Sequence, residues 1–224
     1  MTTKDEFLSN IQNNLQKTHL PDAHPQKPPV QKLPEFEPEA LIAQFTQEAI
    51  ALKCEVYRAK SEQDALRQLA SIFAQYQAAD FIAWNDEYFP LPGLTDKLKT
   101  QGFNCRSVAI PHNGRQRQAA MESLSDVPIG LTGALAGLSD TGALALQSGV
   151  GRSRLASLLP PVHIALLNVK QLFPTMAHFL RAHPNAARNA SNLAFISGPS
   201  RTADIEQILT LGVHGPKSLH IILL

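Results

Sequence analysis

Residues 54–84, CEVYRAKSEQDALRQLASIFAQYQAADFIAW, carry the reading on which the fold turns. CEVYRA and DFIAW are short β-branched and aromatic runs, and between them SEQDALRQLASIFAQYQ places its apolar residues at helical spacing. Ser61 and Asp64 offer that helix a capping start. The same alternation extends in both directions. Upstream, EALIAQFTQEAIALK predicts a helix. Downstream come the helix TDKLKTQG, the strand RSVAI, the helix RQRQAAMESL, and two strand-like runs around a turn in VPIGLTGALAGLSDTGALALQ. The strand PVHIALL, the helix VKQLFPTMAHFLRAH, the strand LAFIS, the helix TADIEQIL and a terminal strand SLHIILL complete the series. Strands alternating with helices of this length predict an α/β fold, a largely parallel sheet covered by helices on both faces.

The amino-terminal part reads differently. Phe7, Leu8, Ile11 and Leu15 mark Lys4 to Lys17 as a short amphipathic helix. Residues 19–38, HLPDAHPQKPPVQKLPEFEP, hold six of the sixteen prolines, a density that blocks helix and ladder alike. The expected organisation is therefore an N-terminal helix and Pro-rich linker over residues 1–38, then one α/β domain over 39–224.

Bulk properties narrow the function classes. A net charge of +1 gives no footprint for nucleic acid or an anionic membrane surface. No apolar run approaches the ~18 residues of a spanning helix, and the first residues lack a signal-peptide pattern, so a cytoplasmic location is expected. Cys54 and Cys105 form no CxxC pair, and the histidines show no metal-ligand spacing. No metal or redox cofactor is expected in this chain itself.

Nine of the twelve glycines lie at or after Gly130, which directs attention to the second half, because ligands of open α/β sheets sit at the carboxyl rim where loops approach closely. Four segments there could carry chemistry. Asp140, Thr141 and Gly142 form a tight turn whose carboxylate could act as acid, base or nucleophile, or simply hydrogen-bond its own turn. SGVGRSR supplies Arg152 and Arg154 in a glycine-spaced loop suited to an anion, without the GK[ST] of a phosphate loop or a complete dinucleotide fingerprint. ISGPSRT places Gly198, Ser200, Arg201 and Thr202 at an expected helix start after a strand, and GVHGP sets His214 between two glycines. These were expected to be two lips of one site facing the loops at Asp140 and Arg152, with His214 on the return turn. His163, inside PVHIALL, reads as a core imidazole.

TGALAGLSDTGALAL, RLASLLPPVHIALL and, most specifically, ISGPSRTADIEQILTLGVHGPKSLHIILL resemble the lactate-utilisation (LUD) domain family, and within it the lactate utilisation protein C type, over roughly residues 80–224. The resemblance implies a fold similar to the sugar-phosphate isomerase and coenzyme A transferase group. It also implies a part in oxidising L-lactate to pyruvate beside two iron–sulfur partner proteins that carry the clusters. Small carboxylate or phosphate ligands fit that role, with Thr132, Gly133, Thr141, Gly142, Arg152, Arg154, Gly198, Ser200, Arg201, Thr202 and His214 as candidate contacts. Asp140 stands where many relatives have Glu and where the distantly similar transferases place a catalytic glutamate. The competing reading is thus an autonomous small-molecule enzyme of that fold, using Asp140 and an arginine-lined anion site.

Overall fold

The computed structural model describes residues 3–17, 36–111, 113–203, 209–211 and 215–224. The chain divides into two units, Met1–Pro34 and Glu35–Leu224. In the first, helix α1 (Lys4–Lys17) opens with a reciprocal cap. The Thr3 amide donates to Glu6 Oε2 at 2.8 Å and the Glu6 amide to Thr3 Oγ1 at 3.3 Å. Phe7, Leu8 and Ile11 stand exposed on this helix. The Pro-rich linker lies almost wholly outside the described residues, but Pro38 is the first residue of helix α2 (Pro38–Ala51), where a missing N–H costs nothing.

The second unit is built on a parallel sheet. Its strands are β1 (Glu55–Arg58), β2 (Asp80–Ala83), β3 (Asn104–Arg106), β4 (Ile129–Gly133), β7 (Val162–Leu167) and β12 (Ser218–Leu223). They lie in the order β1-β12-β7-β4-β2-β3, every pair parallel. All of β4 and β7 and nearly all of β12 are buried, as strands covered on both faces must be. Helices α3 (Glu62–Gln75), α4 (Leu94–Thr100) and α5 (Gly114–Leu124) make the crossovers. Ser61 caps α3 by accepting from the Asp64 amide at 3.2 Å, and the buried stripe Ala65, Leu69, Ile72 and Phe73 anchors that helix. Both faces are covered. In register, Gly130 lies beside His163 and Leu219, on the face where a Cβ at Gly130 would overlap the Ala156 carbonyl of α6 (Leu155–Leu158). His220 points to the opposite face, where its Nε2 lies 2.9 Å from Tyr76 at the end of α3.

A second, smaller sheet departs from the sequence reading. Strands β5 (Ala136–Leu138) and β6 (Ala143–Ser148) form a hairpin, β8 (Leu172–Phe173) joins β5 in parallel and β9 (Asn192–Ile196) joins β6 antiparallel. Its own core packs Leu138, Ala145 and Phe179. The run LAFIS is therefore a strand, but one outside the parallel sheet. The expected single helix over VKQLFPTMAHFLRAH is broken, because Pro174 removes a donor and clashes with a preceding turn. The chain instead makes a 3-10 turn (Val169–Gln171), then β8, and restarts at α7 (Met176–Ala182), capped by Thr175. The expected helix TADIEQIL is contradicted at its ends. Strands β10 (Arg201–Ala203) and β11 (Leu209–Leu211) pair antiparallel there, and residues 204–208 lie outside the described residues. RSVAI contributes only Arg106 to a strand.

Candidate functional site

From β2 the chain crosses to β3 on one side, whereas β4 lies next to β7 on the other. The carboxyl ends of β2 and β4 thus flank a topological switch point, where an open α/β sheet leaves a crevice. Three segments close it. The Trp84 amide extends the ladder onto the Leu131 carbonyl at 3.1 Å, and a 3-10 turn (Asp86–Tyr88) then folds over the end of β4. That approach requires Gly133, since a Cβ there would overlap the Tyr88 carbonyl. The loop after β6 is stitched to the same place. Gly149 and Arg152 exchange backbone hydrogen bonds of 3.1 and 3.0 Å, the Asn85 amide donates to the Gly151 carbonyl at 2.8 Å, and Trp84 Nε1 donates to the Ser153 carbonyl at 3.0 Å.

This frame fixes Arg152. Its guanidinium carbon stands 4.6 Å over the Tyr88 ring, and one terminal nitrogen donates to Gln147 Oε1. The Gln147 amide cannot flip without loss, because its Nε2 donates to the Ala186 carbonyl at 2.7 Å. Arg152 Nε is buried and has no hydrogen-bond partner among the described residues. The Arg152 side chain lines a cavity of about 350 Å³, with Trp84, Tyr88 and Phe89 and with Asn168, Lys170 and Gln171, beyond the end of β7. A guanidinium held in place by Tyr88 and Gln147, a lysine on the same lining and aromatic walls form a receptor for a small anion. Glu87, also at the mouth, leaves the pair of cations one net positive charge, suited to a monoanion. Across Trp84 and Glu87 lies a wider cavity of about 840 Å³ at the ends of β2 and β3. There Asp86 accepts from the Thr95 amide and hydroxyl at 2.9 and 2.8 Å, Lys99 pairs with Asp96, and Arg106 pairs with Asp80. Burial raises the Cys105 thiol above its ordinary value.

The other sequence-nominated residues fall elsewhere. Arg154 is exposed and does not border the small cavity. Asp140 and Thr141 are exposed at the β5–β6 tip, with the Asp140 amide on the Pro174 carbonyl at 3.1 Å. Gly142 has φ of +62° and lies against the Glu48–Ala49 backbone of α2. At about 3.3 Å per residue, the length of β6 puts this tip roughly 15 Å from Gln147. Because β9 runs antiparallel to β6, it too ends at the tip. Gly198 (φ +90°) crowds the Leu52 carbonyl, and the Arg201 guanidinium donates to that carbonyl. A cation on the last carbonyls of α2 is a helix C-terminal cap, so Arg201 is satisfied within the fold. The expectation that the 198–202 segment faces Arg152 across the carboxyl rim is thus overturned. Thr202 pairs through its backbone with Thr210, and His214 lies outside the described residues.

Thr132 is fully buried in β4, its Oγ1 2.9 Å from His163 Nε2. Burial pushes His163 down to about 3, so this imidazole is neutral. His220, which sequence reasoning left unassigned, is also driven below its ordinary value by burial, with Glu55 opposing. Its Nδ1 lies 3.3 Å from the Tyr57 hydroxyl, which donates to Glu55 at 2.7 Å. Tyr88, Gln147 and Lys170 were likewise not singled out. The one available signal was the aromatic pair Trp84 and Tyr88 just beyond a strand end. Among the described residues no group of three or more His, Cys, Asp or Glu could hold a metal, and no helix is long and apolar enough to cross a membrane.

Comparison with known proteins agrees with this architecture. The LUD domain family profile matches residues 42–224. The chain is 31% identical to lactate utilization protein C of Halalkalibacterium halodurans, covering 95% of this chain and 94% of that protein. It is 29% identical to lactate utilization protein C of Shouchella clausii, over 98% and 96% of the two chains. A crystal structure of a DUF162 family protein from Deinococcus radiodurans superposes with a TM-score of 0.64 at 21% identity, covering 84% of this chain and 99% of that one, a likeness of fold. By profile and by relatives that align along nearly its whole length, the chain belongs to the LUD domain family.

Proposed function

We propose that this chain is a lactate utilisation protein C-like subunit of a system that oxidises L-lactate to pyruvate, and that its rim cavity holds the small carboxylate. The names of the aligned relatives support the system, and the observation that carries the ligand is the Arg152 guanidinium, held by Tyr88 and Gln147 on the lining of that cavity. Converting a 2-hydroxy to a 2-oxo carboxylate removes two electrons and two protons. An iron–sulfur cluster needs about four thiolates and this sequence has two cysteines, which is compatible with the arrangement the family resemblance implies, in which the electrons leave through clusters on two partner proteins. The part of this chain is to bind the carboxylate at Arg152, assisted by Lys170, and to shield its body from water between Trp84, Tyr88 and Phe89.

Calorimetric titration tests the reading. L-Lactate and pyruvate are expected to bind the isolated chain, and uncharged lactamide to bind much more weakly. Arg152→Ala is expected to reduce the carboxylate affinity by about 10- to 150-fold, the equivalent of losing a charge-assisted hydrogen bond worth about 1.5–3 kcal/mol. Equal affinity in wild type and variant would exclude Arg152 as the carboxylate donor.

A further inference from the structure

The opposite, amino-terminal edge of the parallel sheet holds a second cavity, of about 250 Å³. The loop after β9 and the start of β12 meet there: the Ser200 amide donates to the Pro216 carbonyl at 2.9 Å, and Gly215 packs against Ser200. The Lys217 and Ser218 amides both donate to the Pro161 carbonyl, at 2.7 and 3.2 Å, which pins the floor beside β7. Leu158, Phe195, Pro199 and Leu219 supply apolar parts of the wall, and among the described lining residues no side chain is charged. His163, 1% exposed, borders the cavity. Its Nε2 is engaged by Thr132, and among the described residues no hydrogen bond to its Nδ1 is found.

We propose that this cavity is a ligand site, distinct from the carboxyl-rim site, for a small uncharged molecule with an apolar body and one hydroxyl group that bonds His163 Nδ1. A hydroxyl suits the position because it donates or accepts, and so serves either tautomer that the Thr132 contact allows. An anion does not, since a carboxylate beside a neutral imidazole, with no cation on the wall, loses its hydration uncompensated. Arg201, the nearest charged residue in sequence on that loop, is turned away onto the Leu52 carbonyl. A water molecule is the competing occupant, because it needs two to four polar partners and Ser157, Ser197, Ser200 and His163 share the lining with the apolar side chains. The volume accommodates a benzene-sized ring, which a dry protein cavity of roughly 150 Å³ already holds.

Phenol is the probe, with benzoate as its charged counterpart of similar shape. In protein labelled with ¹⁵N at histidine, phenol is expected to shift the ring-nitrogen resonances of one neutral imidazole saturably, while benzoate binds this site at least about tenfold more weakly. Leu158, itself 42% exposed, is the position from which to block the cavity. Leu158→Trp is expected to abolish the phenol shift and leave thermal unfolding and the L-lactate titration unchanged; Leu158→Phe serves if the larger ring impairs folding. No saturable shift in the wild type would mean that the cavity holds water only and would overturn the proposal, as would benzoate binding as tightly as phenol or an undiminished response in the blocked variant. Because the L-lactate titration reads the other edge of the sheet, the two sites fail or stand separately.

Discussion

Arg152 works through its neighbours. The Gln147 side chain, 9% exposed, is held by the Ala186 carbonyl so that its oxygen must face the guanidinium, and Tyr88 fixes the plane. Gln147 is therefore a positioning residue, and Gln147→Glu adds a charge beside the guanidinium while giving up the donor to the Ala186 carbonyl. The carboxylate would keep the guanidinium in place but neutralise it, so L-lactate affinity is expected to fall by about tenfold or more, as an internal charge-assisted pair competes with the ligand. The weak binding of lactamide should not change, and calorimetry with both compounds checks this; a parallel loss of both would reduce Gln147 to a packing role. At this scale the sequence was legible in part. Glycines flanking Arg152 drew attention to it, but Tyr88, Gln147 and Lys170 reach the cavity from three separate strand ends, and no local spacing brings such residues together. Arg201 had a similar local signature to Arg152, a basic residue a few positions after a glycine. Its use as a cap for α2 depends on a contact with Leu52, far away in sequence.

Among elements, the β5–β6 hairpin decides which nominated residues can cooperate. It leaves the carboxyl rim just after β4 and returns to it at Ser148, so Gln147 and Arg152 sit at one end while Asp140 and Gly142 sit at the other, against α2. Asp140→Asn is accordingly expected to leave L-lactate and pyruvate affinity within about twofold of wild type, the scale on which substitutions at independent sites leave each other unaffected. A loss comparable to that of Arg152→Ala would place the carboxylate at the hairpin tip instead. The strand and helix runs were readable because apolar period and capping are local, as Ser61 and Asp64 show for α3. Sheet membership was not. LAFIS has the composition of any strand, and only its pairing with β6 puts it in the second sheet and sends the 198–201 segment to the end of α2. The helix expected over VKQLFPTMAHFLRAH failed at a visible residue, Pro174, whose breaking effect outweighs the apolar spacing around it.

For the whole molecule, the parallel order β1-β12-β7-β4-β2-β3 creates two edges with different chemistry. The carboxyl rim gathers Arg152 and Lys170 around a cavity at the switch point, and the amino-terminal edge gathers a cavity whose described lining side chains are uncharged around a neutral imidazole. That ligands belong at the carboxyl rim followed from the alternation of strands and helices, before any side chain was placed. Which loops reach it did not, because that depends on the crossing of the two sheets. In the proposed system, the chain presents a carboxylate at this rim while partner clusters take the electrons. The most direct measurement is a crystal structure of the protein with pyruvate. The account expects the carboxylate in the rim cavity, with an oxygen within hydrogen-bonding distance of the Arg152 guanidinium and the carbon chain between Trp84 and Phe89. Pyruvate bound beside Asp140 at the hairpin tip, or an unliganded rim cavity in crystals saturated with pyruvate, would contradict it.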